Sequence, residues 1–304
     1  FRATLDFGFC WPAGSSAFSG QAEEILMRAF RQVDVFTRRP FFGNPVAVIL
    51  DGAGLTTDQM QQIAQWTNLS ETTFVLPPED AAASYRVRIF TPRAELPFAG
   101  HPTLGTAHAV LEAGIAQPVQ GKLVQQCAIG LVDVTIEGDM RAFRLPRYAE
   151  QDAPQADKLT AALGVPGLLV AAPKLLDVGP RWVIGECASI EALAQLVPDL
   201  AALADYDRAH HTTGLTLFAV GPEGVKVRSF APADGIAEDP VCGSGNAAVA
   251  AYRLLRGTLA DGQSYQASQG REVGRDGEIH VRISGGDVHV GGQCVTCVSG
   301  MIGL

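Results

Sequence analysis

The chain contains one passage twice, and this internal repeat constrains its fold more than any other feature. Residues 86–100 and residues 226–243 each predict a strand, a loop and a helix that begins directly after a glycine. A period of roughly 130 residues is too long for a solenoid and favours a duplicated domain. Chance similarity of two strand–loop–helix units is the alternative. The two copies align without a gap at Ala94/Ala237, Glu95/Glu238, Pro97/Pro240 and Gly100/Gly243.

Similar segments also precede the two copies in the same order. Residues 73–79 precede the first copy, and residues 217–223 precede the second. Matched segments in one order predict two lobes related by pseudo-symmetry. Two helix N-termini can then face one cleft, where free amide groups and the helix dipole favour an anion such as a substrate carboxylate. A predicted strand and helix lie further upstream in each half, at 46–50 and 58–66, and at 181–185 and 190–203.

The composition of the chain limits the classes of binding partner and the cellular compartment that we predict. The 304 residues are 47% hydrophobic and 18% charged, as in soluble globular proteins, and the formal net charge is −9. This charge argues against a nucleic-acid partner, because phosphate binding needs a basic surface. No apolar stretch reaches the length of a membrane span, so we predict no membrane partner. The six cysteines form no disulfide pattern, which predicts a reducing, cytoplasmic location.

The predicted strands outnumber the predicted helices, and their short connections favour antiparallel pairing. We predict an N-terminal lobe over 27–145 and a C-terminal lobe over 146–294, with a polar linker at 148–158. The apolar residues 295–304 are predicted to return to the sheet of the first lobe. Residues 1–26 lack the basic start and apolar core of a signal peptide, and we predict a disordered segment of upstream or expression-vector origin outside the fold.

A glutamate at a predicted corner of the chain is the first candidate for chemistry. Thr56 and Gln59 have the spacing of a capping box, so a helix begins after Thr56 and ends near Asn68. A strand follows at 73–76, which places Glu71 between helix and strand. A carboxylate at such a corner over an apolar cleft can be desolvated, and a raised pKa then allows proton transfer near neutrality. The alternative is a surface glutamate at a helix–strand junction.

The two glycine-started helices carry the next candidates. His101 follows Gly100, and a proline comes next, which suits a first helical turn. His101 is therefore predicted at or beside an N-cap, with its ring able to face an anion. A capping or packed histidine is the alternative. Ser244 is the equivalent residue of the second lobe, and serine is a favoured N-cap. Its hydroxyl can serve either the helix or a ligand.

Two further candidates lie beside Gly243. Asp239 has Leu96 as its counterpart, so the second lobe alone has a charge there, which favours either a special role or an Asp-Pro turn. Cys242 lies at the predicted helix start, where the helix N-terminus lowers the pKa of a thiol. Its counterpart is Ala99, so no second thiol faces it.

No motif for a nucleotide or a metal accompanies these residues. The glycine clusters at 243–246 and 291–292 match neither a dinucleotide fingerprint nor a Walker loop, so we predict no nucleotide cofactor. Cys294 and Cys297 have a spacing found in redox and zinc sites. They lie in a predicted strand, where positions three apart face opposite sides, and core packing is favoured.

Several motifs follow one another in a specific order. They are Asp34-Val-Phe with Phe42-Gly-Asn-Pro-Val-Ala-Val, Asn68-Leu-Ser-Glu-Thr-Thr-Phe, Phe90-Thr-Pro with Glu95-Leu-Pro-Phe-Ala-Gly-His-Pro-Thr-Leu-Gly-Thr-Ala, Glu238-Asp-Pro-Val-Cys-Gly-Ser, and Gln269-Gly-Arg-Glu-Val-Gly-Arg. Together they resemble the phenazine biosynthesis PhzF-like family, over essentially all of 27–304. The resemblance implies a diaminopimelate epimerase-type α+β fold, with two pseudo-symmetric lobes that each wrap a curved, mostly antiparallel sheet around a central helix. It also implies a homodimer, an active site between the lobes, and no cofactor or metal.

The resemblance implies an activity as well. In the phenazine-pathway member, the glutamate that matches Glu71 moves a proton within a cyclohexadiene amino acid, which is an isomerisation. By the same motifs His101, Asp239 and Ser244 would position substrate and shuttle protons. We therefore expect a cofactor-independent isomerase of a small carboxylate or amino-acid-like substrate. The expected catalytic residues are Glu71, His101 and Asp239, and the expected substrate-binding residues are Ser70, Gly100, Gly243 and Ser244.

One departure from the family leaves alternatives open. The epimerase relatives use a cysteine in each lobe, at the positions of Ala99 and Cys242, and this chain keeps only the second. A racemase or epimerase that uses Glu71 and Cys242 as an unequal acid/base pair is one alternative. A non-catalytic binding protein with a retained cleft is another, because fold and motif do not determine the substrate.

Overall fold

The computed structural model describes residues 26–304, so the segment predicted to lie outside the fold falls outside the described residues up to position 25. The helices are α1 (Thr57–Thr67), α2 (Gly100–Glu112), α3 (Ala156–Leu163), α4 (Ile190–Ala194), α5 (Leu200–His210) and α6 (Gly243–Leu255). None of these helices of the described chain is long and apolar enough to cross a membrane. The strands are β1 (Met27–Val35), β2 (Asn44–Ile49), β3 (Glu71–Leu76), β4 (Tyr85–Phe90), β5 (Glu95–Leu96), β6 (Lys122–Cys127), β7 (Gly130–Glu137), β8 (Met140–Arg144), β9 (Ala149–Asp152), β10 (Lys174–Asp177), β11 (Arg181–Glu186), β12 (Gly214–Gly221), β13 (Gly224–Ala231), β14 (Ile236–Asp239), β15 (Ser264–Gln269), β16 (Gly277–Ser284) and β17 (Asp287–Gly303).

The first lobe is a closed sheet around a buried helix. β1 pairs with β2 and with β17, and the ring continues through β3, β4, β6, β7 and β8 back to β17. α2 is buried over nearly its whole length and packs on these strands. Its small residues allow the strands to approach closely. A methyl group on Gly105 would overlap the Val46 side chain and lie 3.0 Å from Cγ2 of Val35.

The second lobe repeats this arrangement around α6. β10 to β13, β15, β16 and the first part of β17 pair in the same order as β1 to β4, β6, β7 and β8. The same two pairings are parallel in each lobe, namely β2–β3 and β4–β6 in the first and β11–β12 and β13–β15 in the second. The predicted α+β architecture of two pseudo-symmetric, mostly antiparallel lobes around central helices is therefore confirmed.

The lobes exchange their last strands. β17 first pairs with β8 and β16, and its second part then pairs with β1 of the first lobe. In the same way β8 leads into β9, which pairs with β10 of the second lobe. The predicted linker at 148–158 is therefore wrong, because it contains β9 and the start of α3. All four residues of β9 are exposed, and this gives the strand the polar composition of a linker.

The helix predicted over 190–203 is also wrong, because two helices, α4 and α5, occupy this region. Pro198 lies between them, and proline lacks the N–H group that a continuous helix needs. Asp199 follows, and its carboxylate accepts a hydrogen bond of 3.0 Å from the Ala202 N–H. The new helix therefore begins with an acidic N-cap, a favourable start.

The repeat also duplicates an ion pair. Arg88 of β4 donates two hydrogen bonds, of 2.7 and 2.6 Å, to the carboxylate of Glu95 in β5. Arg228 of β13 likewise donates two, of 2.9 and 2.7 Å, to Glu238 in β14. Such paired, charge-assisted bonds are strong and directional. In both lobes they hold the short strand that leads into the central helix.

We expect the substitution Gly105→Ala to destabilise the protein. The added methyl group would overlap buried Val46, and overpacking of a core costs about 1–3 kcal/mol. Urea titrations should show that loss in the free energy of unfolding. Gly300→Ala is the matched control, because no atom lies within 4 Å of a methyl group there. Equal stability of the two variants would contradict the close packing of α2 against β2.

Candidate active site

Glu71 is positioned by a helix, a left-handed residue and a strand. The Thr56 hydroxyl accepts a hydrogen bond from the Gln59 N–H, and the Gln59 side chain accepts one from the Thr56 N–H, so the predicted capping box is confirmed. α1 ends at Asn68, whose φ of 53° is left-handed and redirects the chain. Glu71 then begins β3, which pairs in parallel with β2. The glutamate lies at the corner that the sequence predicts.

The N-termini of the two central helices lie against each other. α2 begins at Gly100 after the N-cap Ala99, and α6 begins at Gly243 after the N-cap Cys242. A methyl group on Gly243 would lie 3.4 Å from the backbone nitrogen of His101, which is van der Waals distance, so the two helix starts lie close together. The positive ends of both helix dipoles therefore meet where the lobes join.

Glu71 is buried at this junction. Its side chain is 15% exposed, and its Oε2 atom lies 3.4 Å from Nε2 of His101. Neither atom has a hydrogen-bond partner among the described residues. Burial raises the pKa of Glu71 to about 7, and a hydrogen bond with the Ser70 side chain opposes this rise. The carboxyl group can therefore donate or accept a proton near neutral pH.

His101 and Asp239 are the other titratable groups at this point. Burial lowers the pKa of His101 to about 4, opposed by the charge of Asp239 and by a hydrogen bond with the Pro45 backbone. Burial raises the pKa of Asp239 to about 6, opposed by His101. Oδ1 of Asp239 accepts hydrogen bonds of 3.0 Å from the Asn44 amide and from the Val241 N–H. At neutral pH the imidazole is neutral, and Asp239 is mostly ionised.

Cys242 differs from the sequence-based prediction. Its Sγ accepts a hydrogen bond of 3.2 Å from the Gly245 N–H and so caps α6. Burial raises the pKa of the thiol well above its ordinary value, and the charges of Asp239 and Glu71 raise it further. The predicted lowering of this pKa by the helix N-terminus is therefore wrong, because desolvation and two carboxyl groups outweigh the helix dipole.

Ser244 and His101 are not N-caps. Cys242 caps α6, and Ser244 lies in the first turn of that helix. The Ser244 hydroxyl accepts a hydrogen bond of 3.0 Å from the indole N–H of Trp182 in β11, and it lies 3.5 Å from Sγ of Cys242. In the first lobe the N-cap is Ala99, which makes no side-chain cap bond. His101, predicted at or beside an N-cap, lies two residues after the cap Ala99, and Ser244 lies two residues after the cap Cys242.

The structure brings the candidate residues together and adds two that sequence reasoning missed. Asn44 reaches Asp239 and also accepts a hydrogen bond of 3.4 Å from the Ser70 hydroxyl. The Gly-Asn-Pro motif was the signal that could have found Asn44. Trp182 gives no such local signal, because it reaches the site from a remote strand. The chemical roles of the candidates stay predictions. The candidates at the junction are Ser70, Glu71, Gly100, His101, Asp239, Cys242, Gly243 and Ser244.

A metal centre has no ligand set in the described part of the chain. Within residues 26–304, no group of three or more His, Cys, Asp or Glu side chains could hold a metal ion. The paired spacing of Cys294 and Cys297 does not create one. Their thiols hydrogen-bond to different backbone carbonyls, those of Leu104 and Val295, each at 3.8 Å.

The fold and site define the class of the protein. A PhzF family protein from Bacillus anthracis superposes with a TM-score of 0.80 at 22% identity, and the match covers 91% of this chain and 99% of that one. This likeness confirms the two-lobed, epimerase-like fold. The chain therefore has the fold of this class of proteins, and a buried carboxyl group of raised pKa lies where its lobes meet.

The family follows from the sequence comparisons. The model of the phenazine biosynthesis-like protein family matches residues 33–300. The chain is 40% identical over 288 residues to antisense-enhancing sequence 1 of Schizosaccharomyces pombe. This alignment covers 90% of this chain and 97% of that protein. It is 35% identical over 266 residues to trans-2,3-dihydro-3-hydroxyanthranilate isomerase of Pseudomonas aeruginosa, with 85% and 91% covered. The protein belongs to the phenazine biosynthesis-like, or PhzF, family, and the resemblance drawn from its motifs is confirmed.

The raised pKa of Glu71 predicts a pH-dependent contribution to stability. The folded protein binds this proton more tightly than the unfolded chain, so the contribution of Glu71 to the free energy of unfolding falls as pH rises from about 4.5 to about 7. The difference between wild type and Glu71→Gln should therefore fall by up to about 3 kcal/mol across this window. Urea titrations at a series of pH values measure it.

The control for this measurement is Glu223→Gln, the same change at an exposed position. The difference in the free energy of unfolding between wild type and Glu223→Gln should show no such fall. If the free energy of unfolding of wild type and that of Glu71→Gln differ by a constant amount from pH 4.5 to 8, that result contradicts the burial of an ionisable carboxyl group at this corner.

Proposed function

We propose that the protein catalyses a cofactor-independent proton transfer that isomerises a small carboxylate bound where the lobes meet. The observation that carries this proposal is the buried carboxyl group of Glu71, with its pKa raised to about 7. A group with this pKa is present in both protonation states near neutrality, as a general acid and base must be. A relative is named trans-2,3-dihydro-3-hydroxyanthranilate isomerase, which supports an amino-acid-like carboxylate of similar size as the substrate.

The two helix N-termini form the binding part of the proposed site. Free N–H groups of the turns that begin at Gly100 and Gly243 favour a carboxylate, and both helix dipoles add to the attraction. The Ser244 hydroxyl accepts a hydrogen bond from Trp182, so its hydrogen can be donated either to an anionic ligand or to Sγ of Cys242. Ser70 offers a second hydroxyl beside Glu71. A carboxylate bound in this way orients the carbon skeleton of the substrate towards Glu71.

In the proposed reaction, ionised Glu71 takes a proton from one carbon of the substrate, so a C–H bond breaks and an O–H bond forms. The electron pair that remains is delocalised into the adjacent double bond of the substrate. Glu71 then returns the proton to another carbon of the conjugated system, which restores its carboxylate. Asp239 and neutral His101 orient the polar groups of the substrate. Oxidation state does not change, so the step needs no electron carrier.

The two alternatives receive less support. A racemase that pairs Glu71 with Cys242 needs a thiol that ionises near neutrality, whereas burial raises the pKa of Cys242 well above its ordinary value. A binding protein without catalysis has no use for a carboxyl group whose raised pKa lowers stability above neutral pH.

The substitution Glu71→Gln tests the proposed acid/base. With trans-2,3-dihydro-3-hydroxyanthranilate as the probe, we expect kcat to fall by about 10²–10⁴-fold, because an amide cannot exchange the proton. Incorporation of deuterium from D2O into the product, measured by mass spectrometry, should fall with it. Glu223→Gln is the exposed control and should keep both. Unchanged turnover in Glu71→Gln would exclude the role, and wild-type binding without turnover of any isomer would favour the binding protein.

The pair of substitutions Cys242→Ala and Cys242→Ser separates the proposed isomerase from the racemase. We expect both variants to keep turnover, because the thiol stays protonated. Cys242→Ala should lose about 1 kcal/mol of stability, since the acceptor that caps α6 is removed, while Cys242→Ser keeps an acceptor. Loss of turnover in both variants, together with inactivation of the wild type by a thiol alkylator, would favour the racemase instead.

A further inference from the structure

Asn44 bridges the two lobes beside the candidate catalytic groups. It is the first residue of β2 and is 1% exposed. Its Nδ2 atom donates hydrogen bonds of 3.0 Å to Oδ1 of Asp239 and 2.9 Å to the carbonyl oxygen of Val241. A carbonyl and a carboxylate can only accept hydrogen bonds, so the amide nitrogen must face them. An asparagine satisfies this position, whereas an ionised aspartate of the same shape does not.

Both lobes contact Asp239, and within the described chain only the second lobe hydrogen-bonds with its main chain. Its main-chain carbonyl accepts a hydrogen bond of 2.9 Å from Gln269, which in turn accepts one of 2.9 Å from Asn246, and all three residues belong to the second lobe. Its carboxyl group accepts one bond from the Val241 N–H and one from Asn44. Among the described residues, Asn44 is the side chain of the first lobe that donates to this carboxyl group. The direction of the Asp239 side chain therefore depends on Asn44 of the first lobe as well as on the Val241 N–H of the second.

The opposite end of the Asn44 amide leads to Glu71. Oδ1 of Asn44 accepts a hydrogen bond of 3.4 Å from the Ser70 hydroxyl. Ser70 directly precedes Glu71, and its side chain lowers the pKa of Glu71 against the effect of burial. Asn44 is thereby connected through Ser70 to the segment that carries Glu71.

We propose that Asn44 is a positioning residue, which holds the carboxylate of Asp239 from the second lobe in place beside Glu71 and His101 of the first. Three titratable groups face Asp239, namely Glu71 from β3, His101 from α2 and Cys242 from α6. Asn44 differs from all three, because the charge of an amide does not change with pH. Its effect on turnover rests on the proposed function, whereas its hold on Asp239 does not.

The substitution Asn44→Asp tests the proposal, because it keeps the shape of the side chain and replaces a donor by an acceptor. Above neutral pH the new carboxylate and that of Asp239 repel each other. When the pair holds one proton, a carboxyl O–H can donate where the amide did. We expect kcat/KM to fall about 100-fold below wild type at about pH 8 and to recover to within about tenfold of wild type at about pH 5.

The control is Gln117→Glu, the same amide-to-carboxylate change at an exposed loop position. The ratio of its kcat/KM to that of wild type should be constant with pH. A second readout uses the protein without substrate. The urea midpoint of Asn44→Asp should lie below that of wild type at about pH 8 and approach it at about pH 5, because the same proton relieves the repulsion.

These measurements distinguish the two proposals. If Glu71→Gln turns over normally, the proposed function fails, while a pH-dependent urea midpoint in Asn44→Asp still supports the hold on Asp239. The contrary result is a urea midpoint whose difference from wild type does not change with pH, together with a kcat/KM whose ratio to wild type does not change with pH. Asn44 then only fills space, and the positioning role is overturned.

Discussion

The structure depends on the contact between the N-termini of its two central helices. A methyl group on Gly243 would lie at van der Waals distance, 3.4 Å, from the His101 backbone nitrogen, so the two helix starts lie close together. Each start carries N–H groups without helical partners and the positive end of a dipole, and two such ends repel each other unless negative charge lies nearby. Glu71 and Asp239 bring carboxyl groups to this point, which explains why a fold of this kind accepts two acidic side chains in its interior.

Burial then separates the protonation states of the three titratable groups. It raises the pKa of Glu71 to about 7 and that of Asp239 to about 6, and it lowers the pKa of His101 to about 4. A carboxyl group near its pKa, a carboxylate and a neutral imidazole are thereby present together at neutral pH. The lobes must keep their positions for this to hold, because Glu71 and His101 come from one lobe and Asp239 from the other. The exchanged strands β9 and β17 connect the lobes.

The features that the sequence predicts well are local or repeated. The capping box at Thr56 involves neighbours in the chain, and the duplicated strand–loop–helix unit indicates two lobes because each copy must bury its helix in the same manner. β9 escapes prediction because an exposed strand lacks an apolar pattern. The pKa of Cys242 is predicted in the wrong direction, because the sequence shows the helix N-terminus but not the carboxyl groups that packing brings beside it.

The sequence by itself determined the twin lobes, the two glycine-started helices and the corner that carries Glu71. Periodicity and capping act between residues close in the chain, and two similar passages predict two similar units wherever they lie. Only the tertiary structure decided which groups share the junction. It placed Asn44 against Asp239, Trp182 against Ser244 and the carboxyl of Glu71 within 3.4 Å of His101. The physical reason is that burial and electrostatics depend on distances between remote segments, and those distances arise only when the two sheets close around their helices.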